Sequence, residues 1–594
     1  MLPAGAAGAL EEGYYLAGWL GYEFGAILEA DIDVEKKPRS RGADLLADFG
    51  VFRKPCLFDH LTGEHDLPTV ESPTVNEAGY TVTNLRSSME QDEFVRALGR
   101  VREYIGAGDT YQVNYTMKLH FDFEGSPEKL YLDLRRNQSV AYGAYIRSGE
   151  ERMLSFSPEL FFRKDPTRIT VRPMKGTAKR GRNRAEEKSY ADYLHHDGKN
   201  RSENVMIVDL LRNDLARLVH GYGRSSVDTD SLFDVESYES LLQMTSTVRA
   251  RTSDFAMGKI SLVDLFKALF PCGSITGAPK IRTMEIIDEL EKEQRGVYTG
   301  AIGYLAPDMT GAFNVPIRTV RLWRNSGEMG IGAGITYDSD PEDEWRESLL
   351  KGRFLTHSQP DFSLFETMLW QPESGFLLLE EHLARLALSA GFFKFSFHGE
   401  IIRDRLQETA ATFDDSTCRR VRLVLKKDGR IDITQAECEA PRRTSLPSLP
   451  VQEDGLASVA FSDTVINSEK IWFYHKTTHR EIFDTAYKNA GERGCFDLLF
   501  CNEKDEVTEG SITNLVLYDG DRYLTPPLSC GLLDGVMRKK LLADTSVKLR
   551  EKIITREMVR KAEALFVCNS VRGVVQVRLV EDSKVNEQAR HLRG

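Results

Sequence analysis

The sequence predicts a mixed α+β protein in two parts, and three observations predict it. At 594 residues the chain exceeds what one hydrophobic core ordinarily holds, so about two to four domains are expected. Helical periodicity alternates with strand-like runs in both halves. A seam falls at THSQPD, near 356–361, where a charged helix ends and a new run, FSLFETMLW, begins. The expected division is therefore 1–357 and 358–594. Each part reads as α+β or α/β, and periodicity does not set the strand order.

Composition narrows the class. With 41% hydrophobic and 28% charged residues the chain is a soluble globular protein, and no apolar run is long enough to span a bilayer. The start, MLPAGAAGALEEGYYLAGW, lacks the basic region and cleavage pattern of a signal peptide. The cysteines (Cys56, Cys272, Cys418, Cys438, Cys495, Cys501, Cys530, Cys568) are scattered with no CxxC pair. That argues against a zinc ribbon and a disulfide framework and points to a reducing cytoplasm. A net charge of −12, without a basic tract carrying aromatics, excludes nucleic acid as the expected partner. Small anionic substrates would then need positive groups gathered in pockets.

The first part can be taken in order. NEAGYTVTNLRSSMEQD, 76–92, is polar and reads as a connection. In DEFVRALGRVREYIGAG, Phe94, Leu98, Val101 and Ile105 recur at helical spacing, with Gly106 as the stop. Strand runs follow at 139–147, 152–163, 298–305, 312–324 and 328–337. PKIRTMEIIDELEKE is a helix with Pro279 in its first turn. Further on, Ser339 or Asp340 caps a helix opened by Pro341, with Glu342 and Asp343 complementing its positive end. In that helix Glu344, Glu347 and Lys351 share one face while Trp345 and Leu349 point elsewhere. Carboxylates with room for water and substrate oxygens suit Mg²⁺. Taken alone, the stripe reads more plainly as a solvated face. GSITGAPK is an anion-holding turn at a helix start or simply a turn and cap, and it is not a Walker A sequence.

The ordered clusters GDTYQVN (108–114), SFSPELFFR (155–163) with RPMKGTAKRG (172–181), KNRSENVMIVDLLRNDLARL (199–218), FPCGSITGAPK (270–280) and GAGITYDSDPEDEWRESLLKG (332–352) go further together. They resemble the chorismate-utilising enzymes over roughly residues 13–355. The resemblance implies a β-sandwich with helices, like anthranilate synthase component I. It implies Mg²⁺ at Glu203 and Glu347 with Glu344 close by. It also implies chorismate contacts from Tyr298, Arg318, Lys351 and the backbone at Gly332 and Gly334, with Thr177 facing the ring. Water-adding members carry lysine where this chain has Gln112. Anthranilate synthases carry alanine where it has Lys175, and lysine there resembles component I of aminodeoxychorismate synthase. In that reading Lys175 attacks C2 of chorismate, Glu159 helps the 4-hydroxyl leave, and ammonia enters at C4. A lysine buried near Mg²⁺ and Arg318 should have a lowered pKa and so be nucleophilic. No cysteine sits in a GxCxGxQ-like context, so ammonia is expected from a separate glutamine amidotransferase or free ammonium. The stretch before AGWLGYEFG is shorter than the resemblance implies, through trimming or a reduced first sheet.

In the second part FETMLW (365–370), LEEHLARL (379–386), YHKTTHR (474–480), VTEGSITNLVL (507–517), GLLDGVMRKKLL (531–542) and NSVRGVVQV (569–577) follow in order. They resemble fold-type IV pyridoxal-phosphate enzymes over 361–580, specifically 4-amino-4-deoxychorismate lyase, with D-amino-acid and branched-chain aminotransferases as relatives. The resemblance implies an α/β domain that can dimerise. It implies that Lys476 bonds to pyridoxal 5'-phosphate and shuttles the proton, and that Glu509 pairs with the ring nitrogen. Arg385 would clamp the phosphate with the helix start at Val536 and Met537, helped by Asn569 and Ser570, and Asn514 would support the site. Together the two resemblances imply synthesis of 4-aminobenzoate for folate. The alternatives are an anthranilate synthase component I, a synthase joined to an aminotransferase for D- or branched-chain amino acids, or a chain in which one part is a silent scaffold serving the amidotransferase.

Overall fold

The computed structural model describes residues 4–28, 45–59, 62–68, 79–137, 140–223, 225–238, 241–255, 260–356, 360–414, 416–448 and 455–581. The chain divides into two compact units: 1–180 with 189–359, and 181–188 with 360–594. The seam expected at 356–361 lies partly outside the described residues, as do the first residues of the 76–92 connection and of the 139–147 run.

Unit one contains two antiparallel sheets. In the nine-stranded sheet the order is Ser226–Ser237, Leu241–Arg251, Arg168–Arg172, Leu160–Asp165, Gly311–Asn314, Ala301–Leu305, Tyr15–Leu20 and Ala47–Phe52, with Met174–Lys179 also on Leu241–Arg251. The seven-stranded sheet runs Gly277–Ala278, Gln112–Gly125, Ser326–Ile335, Thr319–Trp323, Glu151–Ser157 and Tyr142–Ser148, with Tyr80–Ser87 also on Gln112–Gly125.

Two runs that read as single strands are each broken. The 152–163 run ends at Ser157 in the smaller sheet and resumes at Leu160 in the larger one. The 312–324 run ends at Asn314 in the larger sheet and resumes at Thr319 in the smaller one. Pro158 and Pro316 interrupt the ladders, since proline has no N–H to donate. The two crossings are tied together, because Val315 N donates to Glu159 O at 3.1 Å. Glu159 and Arg318 therefore both stand where the chain changes sheets.

Behind the larger sheet the core is aromatic. Phe162 stacks on Phe313 with centroids 5.1 Å apart, and Phe266, from the helix Leu262–Leu269, meets Phe313 edge-on at 5.3 Å. Such offset and edge-on pairs add to the burial gain of each ring. The amphipathic helix is Gln91–Ala107, burying Phe94, Leu98 and Val101. Its stop is Gly108 rather than Gly106: at φ 83° Gly108 takes the left-handed cap that L-residues resist.

Unit two has a four-stranded sheet in the order Gly375–Phe376, Leu364–Gln371, Cys418–Leu425, Ile431–Cys438. Leu383, Leu386 and Leu406 of the helices Leu379–Phe393 and Gly399–Ala410 pack into the core with Met368 and Val421 of this sheet. An eight-stranded sheet runs Val507–Gly510, Asp497–Asn502, Ala457–Ile466, Gly573–Leu579, Ala564–Asn569, Asn514–Tyr518, Tyr523–Thr525, Leu549–Glu551. It mixes parallel and antiparallel pairings and closes where Glu509 meets Asn514. Among the described residues no helix is long and apolar enough to cross a membrane.

Candidate active sites

In unit one the site is assembled at the two sheet crossings. Glu159 is buried, 3% exposed, and its Oε1 accepts a 2.6 Å hydrogen bond from Ser274 Oγ. Burial raises its pKa to about 7, against the lowering effects of Ser274 and Lys175. At neutral pH it therefore retains much of its proton.

Lys175 comes from the strand Met174–Lys179 and is half-buried. Burial lowers its pKa, the ammonium of Lys351 adds to that, and Glu203, Glu159 and Glu344 oppose it. The three carboxylates and Lys351 are therefore its electrostatic neighbours. Its carbonyl accepts from Asn204 Nδ2 at 3.4 Å, and Asn204 is fixed by Ser246 Oγ at 2.6 Å. Glu203 precedes Asn204 on the helix Gly198–Val219, capped by the Asp197 side chain.

Gln112 is buried, and its Oε1 has no hydrogen-bond partner. The Gln112 amide and Lys175 Nζ meet over Gly334, where an added Cβ would collide with Gln112 Nε2 and lie 2.9 Å from Nζ. Gly332 is two residues back on the same strand face, and its carbonyl accepts from Lys351 Nζ at 2.9 Å. At Gly330, next on that face, the buried ring of Tyr298 fills the space a Cβ would need. Arg318 is half-buried, with φ 51°, and its carbonyl accepts from Phe156 N at 3.1 Å. Thr177 is exposed and donates to Gln243 Oε1 at 3.4 Å.

The helix expected near 339 is Pro341–Gly352, and Asp340 caps it by accepting from the N–H groups of Glu342 and Asp343. Lys351 pairs with Glu347 at 2.9 Å. Glu344 accepts from Ser339 Oγ at 2.9 Å, and burial raises its pKa with help from Glu347. No three metal-ligating side chains converge among the described residues. Mg²⁺ seldom uses a full protein cage, and Glu347 acting on Glu344, with Glu203 and Glu344 both acting on Lys175, makes a carboxylate set that fits a hydrated divalent ion.

GSITGAPK resolves as a clasp. Gly273–Ile275 is a short 3₁₀ turn, Gly277 and Ala278 pair with Val113 and Gln112, and Lys280 bonds Asp214 at 2.9 Å. Its Ser274 was not singled out by sequence reasoning, because the contact to Glu159 spans 115 residues.

In unit two a cavity of about 390 Å³ is lined by Lys476, Glu509, Arg385, Asn514, Val536, Met537, Asn569 and Ser570. Burial lowers the Lys476 pKa to about 7, and Arg385 and Arg480 add to this while Glu366 and Glu509 oppose it. Burial raises Glu509 to about 8; its Oε1 accepts from Leu533 N at 3.0 Å and its Oε2 from Asn514 Nδ2 at 3.4 Å. Arg385 donates to both oxygens of Glu366, at 2.9 and 2.6 Å, and to Asp534 O at 3.1 Å. The second oxygen of Glu366 is also 2.7 Å from His382 Nδ1.

The helix Val536–Ala543 begins at Gly535, where a Cβ would collide with Asn514 Oδ1. The first-turn N–H groups of Val536 and Met537 lie at a helix start on the cavity wall, an arrangement that binds phosphate. Ser570 donates to Thr367 O at 3.2 Å, and Asn569 Oδ1 accepts from Val571 N and Arg572 N, so both shape the adjoining turn. A nucleophilic amine, a carboxyl for a ring nitrogen and a phosphate cradle in one cavity fit pyridoxal phosphate. Arg420, Arg422 and Arg480 also line it and were not picked out from the sequence, since no local pattern gathers them.

Residues 4–357 match the chorismate binding enzyme family. The chain belongs to that family. Residues 363–580 match the amino-transferase class IV family, so the chorismate-binding part is joined to a class IV part. Aminodeoxychorismate synthase component 1 of Bacillus subtilis is 36% identical over 48% of this chain and 59% of its own length. The protein of that name from Klebsiella aerogenes is 33% identical over 57% of this chain and 76% of its own. Anthranilate synthase component 1 of Aquifex aeolicus is 36% identical over 46% and 54%. The chain thus spans less than two thirds of the Bacillus and Aquifex relatives. The crystal structure of anthranilate synthase component I from Streptococcus pneumoniae aligns at a TM-score of 0.52 with 26% identity, covering 58% of this chain and 81% of that one.

Proposed function

We propose that the chain makes 4-aminobenzoate in two steps, amination of chorismate to 4-amino-4-deoxychorismate by 1–357 and release of pyruvate from that product by 358–594. The observation that carries this reading is that Lys175 and Glu159 act on one another electrostatically, an amine with lowered pKa and an acid raised to about 7.

The first step follows from these groups. Lys175 Nζ adds to C2 of chorismate as the ring double bonds shift and the 4-hydroxyl leaves as water with the Glu159 proton. Ammonia then adds at C4 and the lysine amine leaves. Gln112 cannot activate water as a lysine would, so ammonia supplied by a separate amidotransferase or as ammonium is the nucleophile. Tyr298, Arg318, Lys351 and the backbone at Gly332 and Gly334 hold the substrate carboxylates, and Thr177 faces the ring. Glu203 and Glu347, with Glu344 beside them, would hold Mg²⁺, which would neutralise carboxylate charge.

In the second step pyridoxal phosphate, when bound, supplies an electron sink for the carbanion left at C4. Lys476 takes the C4 proton and delivers it to the methylene carbon of the departing enolpyruvyl group as the ring C3–O bond breaks. Glu509 pairs with the ring nitrogen, and Arg385 with Val536, Met537, Asn569 and Ser570 holds the phosphate. Asn514 steadies Glu509. Loss of pyruvate makes the ring aromatic.

The test incubates the full chain with chorismate, ammonium and Mg²⁺, with and without pyridoxal phosphate, and separates the aminobenzoates by chromatography. 4-Aminobenzoate and pyruvate only with the cofactor, and an aminated chorismate without it, support both steps. 2-Aminobenzoate would sink the role given to Lys175 and favour anthranilate synthesis. A keto acid formed from an amino donor would favour an aminotransferase in the second part.

A further inference from the structure

Cys418 opens the strand Cys418–Leu425 and Cys438 closes the strand Ile431–Cys438, and the ladder places them directly opposite one another. Both are free, half-buried thiols. The hairpin turn sets their spacing. Gly429 N donates to Lys426 O at 3.0 Å and Lys426 N to Arg430 O at 2.9 Å, and the register then runs without a shift to Cys418 and Cys438. Counting alternate pairs from Lys426 and Arg430 makes the cysteines a hydrogen-bonded pair, with Cα atoms about 5.5 Å apart. That lies within the Cα span of about 4.4–6.8 Å found in disulfides. A hydrogen-bonded pair holds its Cβ atoms about 5.5 Å apart, so the strand ends draw together by about 1 Å as the bond forms, a strain that makes it easier to reduce. Directly opposed side chains also share one face of the sheet, so the two sulfurs are on the same side.

The surroundings tie this pair to the cavity. Arg420 and Arg572 line the cavity and also act on the Cys438 thiol. Burial raises that thiol's pKa, Cys418 adds to this, and Arg420, Arg572 and Arg419 oppose it. Of the other cysteines Cys56 is exposed, while Cys272, Cys495, Cys501, Cys530 and Cys568 are buried, and no register opposes any of these to a second cysteine among the described residues.

We propose that Cys418 and Cys438 are a redox pair that a peroxide closes into one cross-strand disulfide and a thiol reductant reopens. One thiolate attacks the peroxide oxygen, becoming a sulfenic acid as the peroxide O–O bond breaks and water or an alcohol leaves. The second thiolate attacks that sulfur, the S–O bond breaks, and the oxygen departs as water. Two sulfurs are oxidised by one electron each, and the peroxide takes both electrons. The closed bond pins the open end of the hairpin whose strand carries Arg420 and Arg422 into the cavity. The proposal does not depend on the reaction assigned to either part.

The test treats the folded full chain with a small excess of hydrogen peroxide at pH 8, blocks remaining thiols with N-ethylmaleimide, and maps non-reduced peptides by mass. The expected result is a linked pair containing Cys418 and Cys438, two hydrogens lighter than the reduced peptides and separated again by dithiothreitol. Cys418→Ser should abolish the linked pair, with unchanged circular dichroism showing that the fold survives. A higher midpoint of thermal unfolding for the oxidised wild type, absent in the variant, is also expected. Both cysteines recovered as maleimide adducts after peroxide, or found over-oxidised or linked to other cysteines or other chains, would overturn the proposal.

Discussion

Ser274 Oγ donates a 2.6 Å hydrogen bond to the buried carboxyl of Glu159, joining the clasp at 273–278 to the point where the chain changes sheets. A hydroxyl donor stabilises the carboxylate form, so it holds the acid's pKa below what burial alone would impose.

That relationship sets a pH dependence for amination. An acid must keep its proton to help a hydroxyl leave, and Glu159 titrates at about 7, so the rate should fall as pH rises through 7. Removing the donor raises the pKa further. Ser274→Ala should therefore move the alkaline limb to higher pH, while Glu159→Gln should cost about 10²–10⁴-fold below pH 7, as loss of a general acid does, and progressively less above it. The measurement is chorismate consumption against pH with ammonium as donor. An unmoved limb in Ser274→Ala would remove Glu159 as its origin.

Gly334 offers a steric test of the same site. A methyl there would collide with Gln112 Nε2 and stand 2.9 Å from Lys175 Nζ. Both neighbours are the ends of long side chains, so the fold can absorb the change while the amine is displaced. Displacing a reacting group by about 1 Å costs on the order of 10²-fold. Gly334→Ala should thus lower kcat for amination by about that factor with little change in thermal midpoint. A large drop in the midpoint would instead mark the position as one of packing.

These two predictions rest on residues that were unequally visible in the sequence. The helix Pro341–Gly352 was legible to within one residue at its cap, because Pro341 and two acids form a local signal with Ser339 and Asp340 as the candidate caps, of which Asp340 caps it. The sheet crossings were not, since a strand-like run continues on both sides of Pro158 and of Pro316 and says nothing about which sheet each half joins. Gly106 drew the helix stop two residues early because composition cannot show which glycine turns left-handed. Ser274 and Glu366 escaped notice for another reason. Each acts through a partner distant in sequence, Glu159 or Arg385, and such pairing is a tertiary property.

Lys476 should be the group that bonds to the cofactor. Its pKa of about 7 leaves a good fraction of the free amine at neutral pH, which a carbonyl needs for attack. Borohydride reduction of the full chain with pyridoxal phosphate should add the cofactor's mass to the peptide holding Lys476. Lys476→Ala should show no such adduct, and pyruvate release should stop while the aminated chorismate accumulates. An adduct on another lysine would overturn the assignment.

Glu366 makes the last prediction one of stability. It is 1% exposed, and burial alone would raise its pKa, yet Arg385 and His382 hold it at about 2, far below the ordinary carboxylate range. Its folded pKa is depressed, so its contribution is present above the unfolded value of 4.5 and is lost as pH falls from there toward 2. A gap of that size corresponds to about 3 kcal/mol at neutral pH. Glu366→Gln keeps the shape but leaves Arg385 without its counter-charge, and breaking a buried pair this way costs about 3–5 kcal/mol. Scanning calorimetry of the full chain at pH 7 should show one transition shifted down in the variant, and the shift should shrink as the buffer is taken toward pH 3. A difference that holds constant across that range would mean that the carboxyl acts through packing, with its charge contributing little.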